Sequence, residues 1–149
     1  MNESPAIAPD REAELAARLR LVVTRLSRRL RQRGDTGISQ SDLSALSTID
    51  RLGPLTLGDL AASERVQPPS MTRVVTHLEE AGLVERQACE KDRRVARVRV
   101  TAQGRQLLRR SRTRKDAYLA ERLRTLDLSE QALMAEAVGT LERLLEGGK

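Results

Sequence analysis

Residues 55–101 read LTLGDLAASERVQPPSMTRVVTHLEEAGLVERQACEKDRRVARVRVT, and this stretch decides the fold of the chain. Two short helical patterns come first, joined by a tight turn, and two strand-like runs follow around a charged loop. This order of elements is typical of a helix-turn-helix unit that carries a β-hairpin wing. It predicts a mainly α chain with a small β wing.

The composition sets the size of the chain and the character of its core. The sequence has 149 residues, which is the usual length of one domain. It contains no Phe, no Trp and one Tyr, so its core must consist of aliphatic side chains, which suits helices. The net charge of +6 favours a polyanionic partner, either nucleic acid or an anionic membrane surface. A solvated basic surface is the alternative.

Several classes of function find no support in the residues. No apolar run is long enough to span a bilayer, and the first residues lack the hydrophobic segment of a secretion signal. The single cysteine, Cys89, and the single histidine, His77, match no metal-ligand spacing. No nucleophile with a partnered base is visible either. The sequence therefore predicts a cytoplasmic protein that is not an enzyme, binds no metal or other cofactor, and does not associate with membranes.

Two consecutive short helices have clear start signals. Ser39 with Asp42, and Thr56 with Asp59, are variants of the capping box, in which the first side chain caps the helix and the second occupies its third position. The first helix ends before a Gly-Pro pair, and the second is expected to run to about residue 63. These signals place two helices ahead of the prolines at 68 and 69.

The third helix of the stretch is predicted to begin at Pro68, with Gln67 as its N-cap, and to end at Gly82. Its apolar side chains recur with a helical period and should face the core: Met71, Val74, Val75 and Leu78. Its exposed face carries Ser70, Thr72, Arg73, Thr76 and His77. Such side chains suit base edges in the major groove, where Arg73 can contact guanine through two hydrogen bonds. An ordinary solvated helix is the alternative.

A hairpin follows this helix. Residues 83–88 and 95–100 read as strands, and the loop between them contains Asp92, Arg93 and Arg94. Basic residues at a hairpin tip can enter the minor groove, whose negative potential attracts arginine. An acid two residues away can brace one guanidinium by a charge-assisted hydrogen bond. Taken alone, however, the loop is better explained as a solvated charged turn.

Long helices are predicted toward both ends. Residues 1–10 are expected to form a loose arm, after which a helix capped by Asp10 runs to Gly34. Thr101 should cap the next long helix, whose polar middle predicts exposure, and Ser129 should cap the last one. Apolar stripes run along the first and last helices: Leu15, Leu19, Val22, Leu26 and Leu30 on the first, and Leu133, Ala137, Leu141 and Leu144 on the last.

The stretch from Leu55 to Arg86 resembles the winged helix-turn-helix of the MarR family of bacterial transcription regulators. The segment Asp92-Arg93-Arg94 resembles the D-x-R wing of that family. The segment VTAQG at residues 100–104 resembles its L-T-x-x-G entry to the next helix, with Val100 in place of the usual Leu. The order of helices and the length also fit, so the resemblance extends over nearly the whole chain from about residue 11.

The resemblance implies a homodimer whose terminal helices interleave in a dimerisation layer. Residues 11–149 would then form a single MarR-like chain, with a DNA-binding lobe at 39–101 and dimerisation helices at 11–34 and 102–146. The two lobes would meet successive major grooves of double-stranded DNA at a near-palindromic operator. The residues that match the DNA-contacting positions are Ser70, Thr72, Arg73, Thr76 and His77 on the helix. On the wing, Arg94 matches the minor-groove arginine and Asp92 the acid that positions it, and the neighbouring Arg93 is a further candidate for DNA contact.

A small-molecule effector is a further implication of the resemblance, because many relatives bind one between the lobe and the dimerisation layer. Its identity is open, and the near absence of aromatic residues removes stacking partners for it. Tyr118 is expected to pack in the dimerisation layer. Cys89 lies at the wing, where oxidation could disturb DNA contact, although little there would lower the pKa of its thiol.

The sequence leaves three functions as alternatives. A sequence-specific regulator, most simply a repressor, accounts for the helix-turn-helix, the wing and the basic charge together. A low-specificity or architectural DNA-binding protein would use the same fold with little base readout. A small enzyme or a protein-interaction adaptor has the least support, because the residues show no catalytic constellation.

Overall fold

The structure is a computed structural model that describes residues 9–147, with side chains from residue 10 onward. In chain order the elements are α1 (Pro9–Arg33), α2 (Gln40–Leu52), β1 (Leu55–Thr56), α3 (Leu57–Glu64), α4 (Pro68–Glu80), β2 (Val84–Ala88), β3 (Ala96–Val100), α5 (Ala102–Leu123) and α6 (Leu128–Glu146). The predicted mainly α fold with a small β wing is confirmed. Within the described residues, no helix is both long and apolar enough to cross a membrane.

The three strands form one antiparallel sheet in the order β1–β3–β2. β2 and β3 pair along their whole length, from Val84 opposite Val100 to Ala88 opposite Ala96. This pair is the predicted hairpin. β1 adds only two residues and places Leu55 opposite Val98. The sequence did not predict β1, because two residues are too few to show the alternation of a strand. Only their pairing with β3 defines them as one.

The core is aliphatic, as the composition predicted. Its fully buried side chains come from α2, α3, α4 and β3: Leu46, Ile49, Leu60, Met71, Val75, Leu78 and Val98. The predicted inner face of α4 is confirmed, since three of its four members are buried and Val74 packs against the same cluster. Burial of this face fixes which side of α4 remains exposed.

The predicted caps hold the helices of the lobe at their N-terminal ends. The hydroxyl of Ser39 accepts a hydrogen bond from the amide of Asp42 at 3.1 Å, and the Asp42 carboxylate accepts one from the amide of Ser39 at 3.4 Å. Thr56 and Thr101 cap α3 and α5 through the amide of the third helical residue. Each cap satisfies amides that have no partner inside the helix.

Two predicted N-caps are wrong, although both helices begin close to where they were expected. α1 begins at Pro9, so Asp10 lies in its first turn rather than at the N-cap. The predicted arm at residues 1–10 otherwise lies outside the described residues. α6 is capped by Asp127 instead of Ser129, because Asp127 accepts hydrogen bonds from the Glu130 amide at 2.9 Å and from the Ser129 hydroxyl at 2.7 Å. These bonds, the amide first, hold the pKa of Asp127 below its ordinary value.

The predicted exposure of the middle of α5 is wrong at Ser111. This side chain is buried, and its hydroxyl donates a hydrogen bond to the carbonyl of Gly34 at 3.3 Å. The end of α1 approaches so closely that a Cβ on Gly34 would lie 2.8 Å from the Ser111 oxygen. The polar run in α5 therefore forms a helix–helix contact that its hydropathy does not indicate.

α5 joins the winged lobe to the terminal helices. In its first turn, a Cβ on Gly104 would overlap the carbonyl oxygen of Leu83, so glycine is required for this close approach. Further along, the guanidinium of Arg112 lies 3.3 Å from the carboxylate of Asp50 on α2. These contacts determine where α5 leaves the lobe.

The terminal helices keep large apolar side chains on the surface of the chain. None of the side chains of α6 is buried, and Leu133 and Leu145 are 65% and 81% exposed. On α1, Leu15 and Val22 are 64% and 61% exposed. Patches of this kind are typical of protein–protein contacts. The apolar surfaces of α1 and α6 therefore remain partly exposed in the single chain.

Candidate nucleic-acid interface

The turn between α3 and α4 sets the position of α4. Arg65 ends α3 in the left-handed conformation, with φ of 55°, and the amide of Val66 donates to the carbonyl of Ala61 at 3.0 Å. Pro68 and Pro69 then begin α4 at positions where a missing amide hydrogen costs nothing. The chain thus reverses in three residues, which is the helix-turn-helix connection expected from the sequence.

The carboxylate of Glu64 fixes α3 against α2. It accepts hydrogen bonds from the hydroxyls of Ser44 at 2.6 Å and Thr48 at 2.5 Å, both on α2. Hydrogen bonds to a charged acceptor are stronger than neutral ones. Because Glu64 is the last residue of α3, these bonds also anchor the turn that leads into α4.

The five predicted contact residues of α4 lie on the side that faces away from the core. Ser70, Thr72, Arg73 and His77 are exposed, and Thr76 is half-buried. The hydroxyls of Thr72 and Thr76 donate to backbone carbonyls one turn earlier, at 3.1 and 2.9 Å. Their oxygens and methyl groups therefore remain available to a partner as acceptors and as apolar contacts, but their hydroxyl protons are already used.

Arg73 is the free cation of this face. Across residues 10–147, no carboxylate pairs with its guanidinium and no side-chain hydrogen bond involves it. In contrast, Arg86 at the start of the wing donates from Nε to both oxygens of Glu79 on α4, at 3.0 Å. Arg86 connects the wing to the end of α4, whereas the five donors of Arg73 are available to a ligand.

His77 lies above an acid that the sequence did not connect with it. Its Nδ1 atom is 3.9 Å from Oδ1 of Asp42, whose side chain is only 10% exposed. The carboxylate faces Nδ1, which leaves Nε2 as the ring nitrogen available to an external partner. Asp42 was predicted only as a capping residue. Contact between residues on different helices is the information that the local pattern lacked.

The wing turn is ordered by Asp92 through the backbone. The Asp92 carboxylate accepts a hydrogen bond from the amide of Arg94 at 3.0 Å, and its carbonyl accepts one from the amide of Val95 at 3.0 Å. The sequence had predicted that the Asp92 carboxylate would accept a hydrogen bond from the guanidinium of the wing arginine. In the structure both Arg93 and Arg94 are exposed, and no carboxylate pairs with either of them in the described part of the chain.

Gln67 is an additional candidate that sequence reasoning treated only as a cap. It occupies the N-cap position of α4, yet its side chain makes no capping hydrogen bond, and it is exposed. A glutamine can make two hydrogen bonds to adenine in the major groove. The signal was present in the sequence, since glutamine is a poor N-cap and thus leaves its amide group free.

Known proteins match this chain both in the winged lobe and over nearly its whole length. The MarR family profile matches residues 38–96, which include α2 to α4 and most of the wing. An uncharacterized HTH-type transcriptional regulator of Mycobacterium bovis is 42% identical over 138 residues, covering 92% of this chain and 96% of the relative.

Solved structures agree with this match. A Pseudomonas aeruginosa protein of known crystal structure is 35% identical, with a TM-score of 0.82, over 92% of this chain and 98% of that one. The fold also resembles that of a mutant of Staphylococcus aureus MepR bound to an oligodeoxyribonucleotide, with a TM-score of 0.71 and 17% identity. That comparison covers 88% of this chain and 97% of the MepR chain, and at this identity it concerns the fold alone.

Proposed function

The chain belongs to the MarR family of helix-turn-helix transcriptional regulators, and we propose that it is a homodimeric repressor of a near-palindromic operator. It acts in the cytoplasm on double-stranded DNA and without catalysis. Its α4 helix enters the major groove and its wing reaches the adjacent minor groove.

The main observation that supports DNA recognition is that α4 has a buried apolar face and an exposed polar face. The buried side chains of Met71, Val75 and Leu78 pack one face against the core. The opposite face presents Arg73, which forms no ion pair with any of residues 10–147. A buried apolar face gives the helix a fixed orientation, so the polar face is held ready for base edges. The MepR mutant bound to an oligodeoxyribonucleotide, which shares the fold, supports this use of the lobe.

The wing adds a second point of contact. Arg93 and Arg94 extend from a turn that Asp92 orders through the Arg94 amide. An arginine held on an ordered turn loses less conformational entropy on binding than one on a loose loop. We therefore assign these two arginines to the minor groove and its phosphates, with Asp92 as the residue that positions them.

Dimerisation is supported by the exposed apolar surfaces of α1 and α6. Leu15 and Val22 on α1, and Leu133 and Leu145 on α6, are more than half exposed in the single chain. A second copy would cover both helices by a contact with two-fold symmetry. Two lobes related by such an axis present two copies of α4 in inverted orientation, which fits an operator with inverted half-sites.

A small-molecule effector is part of the proposal. A cleft of about 300 Å³ lies between α2 and α5, lined by residues such as Leu43, Ser47, Leu108 and Arg112. A ligand in this cleft would act on the joint between the lobe and the dimerisation helices. Binding there would change the distance between the two α4 helices and so relieve repression.

A gel-shift titration over a range of salt concentrations tests the proposal. We expect one operator sequence to bind at least about a thousandfold more tightly than unrelated duplexes at the same salt. Equal affinity for all duplexes, with only a salt slope, would instead identify a low-specificity or architectural DNA-binding protein. Absence of binding even at low salt would favour an interaction adaptor.

Arg73→Ala distinguishes the first two outcomes. A residue that reads a base should lose discrimination at one position of the site, by about 1–3 kcal/mol. A residue that contacts only phosphate should weaken binding to every sequence alike. Arg18→Ala, which removes an exposed arginine from α1, is the matched control for loss of charge and should leave base preference unchanged.

A further inference from the structure

Tyr118 of α5 is the only aromatic side chain in the sequence, and it lies among guanidinium groups from two helices. Cζ of Arg33 on α1 is 5.1 Å from the centre of the ring, and Cζ of Arg122 on α5 is 5.4 Å from it. The guanidinium of Arg29, one turn earlier on α1, favours the phenolate most and the charge of Arg122 adds to this effect, so the pKa of Tyr118 is lowered. We name these four residues the Tyr118 cluster.

The positive charge of the Tyr118 cluster is not neutralised within the described part of the chain. No carboxylate among residues 10–147 forms an ion pair with its three guanidiniums. Two other arginines of α5 do have partners: Arg112 pairs with Asp50, and Arg114 donates to a backbone carbonyl at 2.8 Å. Three like charges around one phenol repel one another, and a bound anion would remove that repulsion.

We propose that the Tyr118 cluster is a binding site for a small oxyanion, of the carboxylate, sulfate or phosphate class. A guanidinium presents paired N–H donors that match the oxygens of these groups. The aromatic ring restricts two of the guanidiniums by cation–π contact, which lowers the conformational entropy that they lose on binding a ligand. The site lies on α1 and α5, apart from the residues proposed to contact DNA, and it does not depend on DNA binding.

The absorbance of Tyr118 can report directly on binding at the Tyr118 cluster. Ionisation of the phenol can be followed by ultraviolet absorbance without any problem of assignment, since the sequence has no Trp and no other Tyr. We expect sulfate to raise the pKa of Tyr118 by about half a unit relative to chloride at equal ionic strength. The shift in the pKa should saturate with sulfate concentration, because a bound anion cancels the positive potential only until the site is full. General screening at equal ionic strength would affect the pKa equally in the two salts.

A double variant, Arg33→Gln with Arg122→Gln, should lose the difference between sulfate and chloride. Arg18→Gln, on the same helix as Arg33, is the matched control and should keep it. Sulfate stabilises most proteins by exclusion from their surface, so melting temperatures are compared between variants rather than between salts. The wild type should gain about 2 °C more from sulfate than the double variant does.

Two results would overturn the proposal. One is an equal pKa of Tyr118 in sulfate and chloride, or a double variant that responds as the wild type does. The other is a lack of any sulfate effect combined with dissociation of the double variant at concentrations where the wild type is dimeric. That second result would assign the arginines to carboxylates of a second copy of the chain.

Discussion

The carboxylate of Asp92 accepts a hydrogen bond from the backbone amide of Arg94, with an N···O distance of 3.0 Å. The acid thus shapes the wing turn, and it acts on the arginine through the main chain. Asp92→Ala removes the acceptor, whereas Asp92→Asn keeps one. Both substitutions remove the negative charge, so the difference between the two variants isolates the hydrogen bond.

We expect Asp92→Ala to bind a fixed operator duplex about fivefold more weakly than Asp92→Asn, which corresponds to about 1 kcal/mol for one hydrogen bond. Fluorescence anisotropy at a single salt concentration measures this ratio. Equal affinities of the two variants would mean that the turn keeps its shape without the bond.

Gly104 supports the position of α5. An added Cβ would overlap the backbone oxygen of Leu83, which cannot move without disturbing β2. Gly104→Ala should lower the free energy of unfolding by roughly 1–3 kcal/mol, the usual cost of overpacking. Gly58→Ala on α3 is the control, because the nearest atom to its Cβ would be 3.9 Å away. It should be neutral or stabilising by up to about 1 kcal/mol in urea denaturation. Similar losses in both variants would argue against the close contact at Gly104.

Asp42 has two roles that can be separated. It completes the cap of α2 with Ser39, and it lies 3.9 Å from His77. Ser39→Ala and Asp42→Ala should each cost about 1 kcal/mol of stability, the usual value for a lost cap. Only Asp42→Ala should also relax base preference at the position proposed for His77, by about 1 kcal/mol, and His77→Ala should have the same effect. Single-base variants of the operator provide the measurement, and relaxed preference in Ser39→Ala would show that the cap alone is responsible.

The exposed apolar residues of the terminal helices should hold the dimer together. Val22→Glu on α1 and Leu133→Glu on α6 place a charge in each apolar surface and should convert the dimer to monomer, since an unpaired charge buried in an interface is costly. Sedimentation equilibrium would report half the molar mass. Leu52→Glu on α2 changes an equally large exposed side chain outside both helices and should remain dimeric. Wild type sedimenting as a monomer would contradict the proposed assembly.

Local signals were sufficient for most of the helix-turn-helix. Ser39, Thr56 and Thr101 were identified as caps because each is a hydroxyl residue directly before a predicted helix. The inner face of α4 followed from the spacing of its apolar residues, and the outer face followed by exclusion. These features depend on residues within one or two turns of each other, which is the range in which a sequence pattern is informative.

Features that depend on distant contacts were not predictable in this way. β1 exists only through its pairing with β3, and the burial of Ser111 depends on the approach of Gly34 from another helix. The contact of Asp42 with His77 likewise joins two different helices.

The cap of α6 is a different case, because its signal is local. Asp127 and Ser129 are both good N-caps, and the cap was misplaced by two residues. The Glu130 side chain decides between them by accepting a hydrogen bond from the Asp127 amide at 3.0 Å, which completes a capping box.

The most direct test of a two-fold, sequence-reading dimer is selection of bound sequences from a pool of random duplexes. The wild-type protein should enrich inverted half-sites whose centres lie about one helical turn, roughly 10 base pairs, or a multiple of it apart. Arg73→Ala should enrich the same spacing with one base position relaxed in each half-site. A pool that stays unenriched, or that yields single half-sites without symmetry, would contradict the central proposal.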